Sequence, residues 1–334
     1  MSTNVSEPLT KEAVQNDPSV RLFDEEDDLQ LYSYSDTRGD FSRNCRGLVF
    51  KDDSIVVQTY PHTPEYSIDD RDKMNERWGD GFDDSYTFFE SHEGCIIRLF
   101  YINEKWFIST HKKLNAFESK WSSKKTFGEF FMDALENEYN VNKELNTLLG
   151  PTSDVFESFV TTLNTDYTYV FLLRNNTENR IVCDPPDSPT LYHVGTFRGD
   201  DFSLDEDIHI PYPVSLNFSS VDELLNHVEN TDYSQLQGVV IFQDNILCKV
   251  LSSTYLEMFN LRGNESDVRN RYFQLRNDPS KTDQLYHLYP RFVELFDDCE
   301  NTLLEIRKWI MDKYVDRFIK KQYVTVPRDE YNII

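Results

Sequence analysis

Residues 89–95 read FESHEGC and run into IIRLFYINEKWFISTHKK, which ends at Lys113. A carboxylate beside a glycine is followed by an apolar run, a turn at Asn103-Glu104 and a second apolar run. Apolar runs of this length bounded by turn formers read as β-strands. Glycine beside an acid at the mouth of a strand lets backbone approach a ligand closely. The stretch thus has the outline of a nucleotide-gripping hairpin, and its neighbours decide whether it is an active site or only the shell of one.

Working outward, CRGLVFKDDSIVVQTYP (45–61) reads as a hairpin whose apolar runs, 48–50 and 55–57, flank a turn at Lys51-Asp52-Asp53-Ser54. Residues 61–84 read as a charged loop. SSKKTFGEFFMDALENEYN (122–140) is helical, with Phe127, Phe130, Phe131 and Leu135 at helical spacing and Ser122 or Ser123 as its cap. DYTYVFLLRNN (166–176) and NRIVC (179–183) read as a hairpin, and TLYHVGTFR (190–198) as a further strand. SSVDELLNHVEN (219–230) is a short capped helix, and LQGVVIFQDNILCKVLS (236–252) a last hairpin turning at Asp244-Asn245. Beyond about residue 265 the chain is mostly helical, with an apolar stripe through Phe292, Leu295, Leu303, Ile306, Trp309 and Ile310. The expected class is α+β, antiparallel hairpins with inserted helices and then a helical C-terminal unit. The expected divisions are a flexible N-terminus at 1–20, a domain at 21–262 and the helical unit at 263–334.

The 334 residues include 24 Phe and 19 Tyr, enough aromatic side chain for a sizeable core. No apolar run approaches the ~18 residues of a membrane span. The first twenty residues have neither the basic start nor the apolar centre of a signal peptide. The five cysteines, Cys45, Cys95, Cys183, Cys248 and Cys299, are scattered, which fits reduced thiols in a soluble intracellular protein and gives no zinc motif. A net charge of −25 repels nucleic acid unless a local basic groove or a basic partner intervenes. His111, His193 and His227 show no ligand spacing, and DEEDD at 24–28 reads as a solvated acidic loop, so no metal site is expected.

The order of these pieces resembles the adenylyltransferase domain of RNA ligases of the phage T4 RNA ligase 1 type, across about residues 22–262. NCRGLVF resembles the family's upstream Cys-Arg-Gly segment, with Arg46 in the nucleotide-contacting place. SHEGCIIRLFY resembles the Lys-x-Asp-Gly motif, WFISTHKK the strand and basic turn after it, and YVFLLRNNTENRIV the strand that carries a glutamate. LQGVVIF resembles the Glu-Gly-aliphatic motif, and CKVLS the final Lys-x-Lys. The resemblance implies an antiparallel-sheet nucleotidyltransferase (ATP-grasp-like ligase) fold, ATP and Mg²⁺ as cofactors, RNA ends as substrates and a viral source. It also implies nucleotide contacts at Arg46, Glu93, Gly94, Lys112, Lys113 and Lys249, with Arg98 and Arg180 as further polar groups.

The departures fall on the chemistry. Aligning Glu93-Gly94 with Asp-Gly puts Ser91 where the family keeps its nucleophilic lysine. The strand glutamate falls at Leu172 or Leu173, the Glu of Glu-Gly at Gln237, and the second lysine of the last motif at Leu251. A lysine amine attacks the α-phosphate of ATP once burial or cationic neighbours lower its pKa. A serine hydroxyl needs an adjacent base, and on a strand His92 points to the opposite face. One well-placed catalytic group is worth roughly 3–4 kcal/mol, so three lost together remove most of the catalytic effect. The first expectation is therefore a pseudoenzyme that binds a nucleotide, an RNA end or a protein. The alternatives are an active ligase with a relocated nucleophile, Lys112 or Lys113, or one acting on pre-adenylated RNA, and an interaction protein of a viral assembly. The C-terminal helices, with Lys308, Lys313, Arg317, Lys320 and Lys321, would face RNA or a protein partner.

Overall fold

The computed structural model describes residues 8–79, 81–176, 181–204, 207–243, 246–322 and 328. The chain divides into two compact units, residues 1–259 and 260–334, three residues earlier than the expected boundary.

The first unit holds fourteen strands among the described residues. In chain order they begin with β1 (Val20–Glu26), β2 (Leu29–Tyr34), β3 (Leu48–Lys51), β4 (Ser54–Val57) and β5 (Glu65–Tyr66). Next come β6 (Thr87–Ser91), β7 (Cys95–Ile102), β8 (Lys105–Ser109), β9 (Thr168–Arg174) and β10 (Thr190–Arg198). The last are β11 (Asp201–Ser203), β12 (Ser215–Leu216), β13 (Gly238–Gln243) and β14 (Ile246–Leu251). They form three sheets, ordered β1-β2-β3-β4, β11-β10-β9-β7-β8 and β12-β6-β13-β14-β5. Every pairing is antiparallel except β14 with β5. The class is α+β, as the hairpin spacing indicates.

The two five-stranded sheets each carry a helix layer on one face. Helix Phe127–Val141 buries Phe130, Phe131, Ala134 and Leu135 against Ile97, Leu99, Tyr169, Phe171 and Leu173 of the β7–β10 sheet. Helices Arg71–Trp78 and Val221–Glu229 bury Met74, Trp78, Leu224, Leu225 and Val228 against Phe88, Val239, Ile241 and Val250 of the β6–β13–β14 sheet. The opposite faces meet through Tyr60, Phe89, Val170, Phe197 and Phe242. Each large apolar side chain so enclosed contributes about 1.5–3 kcal/mol.

Several sequence expectations change here. Residues 1–20 are not wholly frayed, because Thr10 caps a helix at Lys11–Asn16 whose Val14 is fully buried against Val20, Tyr32, Leu48 and Phe50. The span 61–84 is not all loop. A capping box between Ser67 and Asp70 starts a turn that leads into the helix at Arg71, and only Met74 and Trp78 reach the core, so charge hides the pattern. The cap of the helix at 127–141 is Thr126, in a capping box with Glu129, rather than Ser122 or Ser123. β9 pairs with β10, not with NRIVC, whose residues 181–183 turn their amides elsewhere. The Asp244-Asn245 turn and Arg180 lie outside the described residues.

In the second unit, helices Val268–Leu275, Pro279–Leu288 and Val293–Tyr314 follow one another. Of the longest helix only Phe296 and Cys299 are buried. The expected stripe thus packs at its start and opens to solvent further on, where Ile306 is 48% exposed. Among the described residues no helix is long and apolar enough to cross a membrane.

Candidate active site

The register of three strands builds the site. Ser91 pairs with Gly238 across β6 and β13, and Lys249 on β14 pairs with Val240, two residues along β13 from Gly238. Side chains two apart on a strand share a face, so Ser91, Val240 and Lys249 point the same way. Gly238 lies between them with no side chain. A β-carbon there would lie 2.1 Å from the Val250 carbonyl, and its φ is +149°, which is why the aliphatic motif needs glycine at this position.

Gln237 organises the polar groups. Its N–H donates to the Ser91 carbonyl at 2.8 Å, and the Ser252 N–H donates to its own carbonyl at 3.0 Å. Its side-chain Oε1 accepts both the Ser91 hydroxyl and the Lys249 Nζ, each at 3.1 Å. Its Nε2 donates to Tyr255 Oη at 2.7 Å, and Tyr255 Oη donates to Glu93 Oε1 at 2.7 Å. The Ser91 hydroxyl thus donates to an amide oxygen that it shares with the Lys249 amine. His92 also lines the cleft, stacked on Tyr192 and hydrogen-bonded to Arg174 at 3.2 Å, and burial lowers its pKa to about 4.

Glu93 is 4% exposed, and its carboxylate accepts the N–H groups of Ile181, Val182 and Cys183 at 2.9–3.1 Å. With the Tyr255 hydroxyl, four donors converge on two oxygens. The expected ribose contact at Glu93 is therefore replaced by a structural one, since these donors fill its acceptor directions. Gly94 is required by close approach as well, because a β-carbon would stand 2.7 Å from the Leu173 carbonyl and from Leu172 Cδ1. The negative charge beside Tyr255 reinforces burial in pushing the phenol's pKa far up, so the tyrosine stays a donor.

Arg46, Thr63, Ser91, Leu172 and Lys249 line one cleft, whose apolar wall includes Phe89, Ile96, Tyr212, Val240 and Phe242. Its empty volume is about 690 Å³, counting the part open to solvent. Arg46 donates from Nη1 to the Pro61 carbonyl at 3.2 Å and reaches Thr63 Oγ1 at 3.5 Å, while its Nε is buried without a partner. Burial pulls the pKa of Lys249 below its ordinary value. Glu65 opposes that shift, and Arg46 adds to it. Strand alternation separates the two leucines. Leu172 lines the cleft, and Leu173 packs in the core on the other face.

The remaining candidates lie elsewhere. Lys113 Nζ pairs with Asp24 at 3.0 Å, and Lys112 Nζ sits 4.9 Å over the Phe23 ring, so neither joins the cleft lining. Their turn was expected near the pocket, but β1 captures both side chains. Arg98, 1% exposed, donates to the carbonyls of Gly47 and Thr110 and to Ser109 Oγ, and burial lowers its pKa to about 9. It clamps the Cys-Arg-Gly segment rather than meeting a ligand. The approach of Lys249 to the Ser91 side escapes a reading by motif, although the pairing of 236–252 as a hairpin contained the signal. Among the described residues no cluster of three His, Cys, Asp or Glu side chains could hold a metal ion.

No protein-family model matches the chain. It is 25% identical over 302 residues to an immediate-early protein ICP-46 homologue of Invertebrate iridescent virus 6, covering 83% of this chain and 63% of that protein. The corresponding protein of Invertebrate iridescent virus 3 is 29% identical over 246 residues, covering 72% and 51%. A protein of Autographa californica nuclear polyhedrosis virus, provisionally named a bifunctional polynucleotide kinase/RNA ligase, is 26% identical over 192 residues, covering 56% and 25%. Among solved structures, an archaeal ATP-dependent RNA ligase aligns over 90% of this chain and 78% of its own, with 12% identity and a TM-score of 0.42. The chain thus spans between about half and two thirds of the two iridescent virus proteins, and its sequence relatives are viral.

Proposed function

We propose that this chain is an RNA ligase-like protein whose cleft binds the phosphates of an adenine nucleotide or of an RNA 5′ end, and that residue 91 carries no adenylyl group. The observation that carries the reading is the pairing of Arg46 and Lys249 in one cleft with Ser91 locked onto Gln237. Arginine grips phosphate through a fork of donors and lysine through a point charge. The apolar wall offers a face for a base. Two cations in a local cleft also answer the objection raised by the net charge of −25. ATP enters as ligand, and any Mg²⁺ would come with its phosphates, because the described residues supply no carboxylate cluster for it.

Thermal unfolding with and without ATP or a 5′-phosphorylated oligoribonucleotide tests this reading. A ligand at one hundred times its Kd adds about 2.7 kcal/mol, a rise of about 5–10 °C for a unit of this size. Absence of any rise with either ligand would favour a protein-interaction role instead. A second reading, adenylyl transfer through a relocated amine, is favoured by one observation, the Lys249 tip beside Ser91.

A further inference from the structure

We propose that Lys249 is the adenylyl acceptor of this cleft, its Nζ standing beside Ser91 where a longer side chain at position 91 would carry an amine. The inference rests on the reading that the cleft holds a nucleotide, and it adds a covalent role for one residue. Two features place the amine. The strand register puts Lys249 on the face of Ser91, with the bare Gly238 opening the way between them. The Nζ and the Ser91 hydroxyl converge on the same Gln237 oxygen.

The chemistry suits the position. Burial disfavours the ammonium form of Lys249 and Arg46 in the same cleft adds to this, against the opposing charges of Glu65 and Glu93. Among the described residues its side-chain hydrogen bond goes to the neutral amide oxygen of Gln237, which orients the amine without accepting its proton as a carboxylate would. Lys112 and Lys113 are excluded as acceptors by their contacts with Phe23 and Asp24.

The step is a displacement at phosphorus. The ammonium first loses a proton to solvent. The amine lone pair then forms an N–P bond to the α-phosphorus of ATP, and the bond from that phosphorus to its bridging oxygen breaks. Pyrophosphate leaves with the electron pair, and the second N–H proton passes to water as the phosphoramidate forms. Nothing is oxidised or reduced, and ATP is the sole co-reactant. Arg46, whose Nε is buried without a partner, is placed in the same cleft to hold charge on the phosphates.

The test uses the full chain incubated with α-³²P-labelled ATP and Mg²⁺ or Mn²⁺ from neutral to alkaline pH. Denaturing electrophoresis and peptide mass spectrometry follow, and binding of the non-transferable analogue α,β-methylene-ATP is measured in parallel. The expected result is an acid-labile, base-stable adenylyl group on the peptide containing Lys249, removed by added pyrophosphate and absent in Lys249→Arg. Mapping the label in the unsubstituted protein keeps the test valid even where the variant folds poorly. Analogue binding with no adduct, or an adduct on another residue, overturns the assignment and leaves the binding reading intact. Failure to bind the analogue, with no adduct, overturns both.

Discussion

Replacing Glu93 with glutamine separates a structural carboxylate from a ligand-binding one. One carboxylate oxygen accepts Ile181, Val182 and Cys183 N–H groups, and the other accepts Val182 N–H and the Tyr255 hydroxyl. Glutamine keeps a single acceptor oxygen. Turned toward the three amides, it makes neutral bonds in place of charge-assisted ones, each weaker by about 1 kcal/mol. Its NH₂ then meets Tyr255, which already accepts from Gln237 and loses the acceptor for its own proton. The three amide bonds alone amount to about 3 kcal/mol, and a unit of this size should unfold at least about 6–12 °C lower. Urea unfolding and calorimetry read the change. Amide hydrogen exchange should accelerate at residues 181–183 in the variant. A Glu93→Gln protein within about 1 °C of the parent, with exchange unchanged there, would refute the hydrogen-bond account and return Glu93 to the list of ligand contacts.

Burial lowers the pKa of the fully buried His193 from the ordinary 6.5 to about 4, so its contribution to stability is complete above pH 6.5 and is lost as pH falls toward 4. The loss is about 3 kcal/mol, and a His193→Gln variant followed by urea unfolding across that window should show a flatter acid limb by that amount. Gly238→Ala should destabilise by more than about 2 kcal/mol through its clash with the Val250 carbonyl and its φ of +149°, and a denaturation midpoint equal to the parent's would contradict the strand geometry. Thr126→Ala removes the cap of the helix at 127–141 and should cost about 1 kcal/mol in the same assay with nucleotide affinity unchanged.

The hairpins were legible because their apolar runs alternate with turns rich in Asp, Asn and Glu, and Asp52, Asn103 and Glu104 do adopt positive φ. The helix at 71–78 was not, since two buried side chains in a run of charges give no period to read. Glu93 was visible as a motif residue, but its partners come from 181–183, ninety residues away, and no local pattern announces them. A basic turn after this strand is open to two readings of Lys112 and Lys113, phosphate contact or plain exposure. Asp24, inside a stretch read as a solvated acidic loop, is what holds Lys113. The approach of Lys249 to Ser91 depends on strand register, which a motif search does not test even though the hairpin itself was recognised.

Affinity for ATP, measured by equilibrium titration on the intact chain and on Arg46→Ala at several salt concentrations, addresses the phosphate cleft most directly. A charge-assisted bond from arginine to phosphate is worth about 1.5–3 kcal/mol, so the variant should bind about 10–150 times more weakly and depend less steeply on salt. Equal affinity and equal salt dependence in the two proteins would contradict the account, because a nucleotide would then be held somewhere other than the cleft shared by Arg46, Ser91 and Lys249.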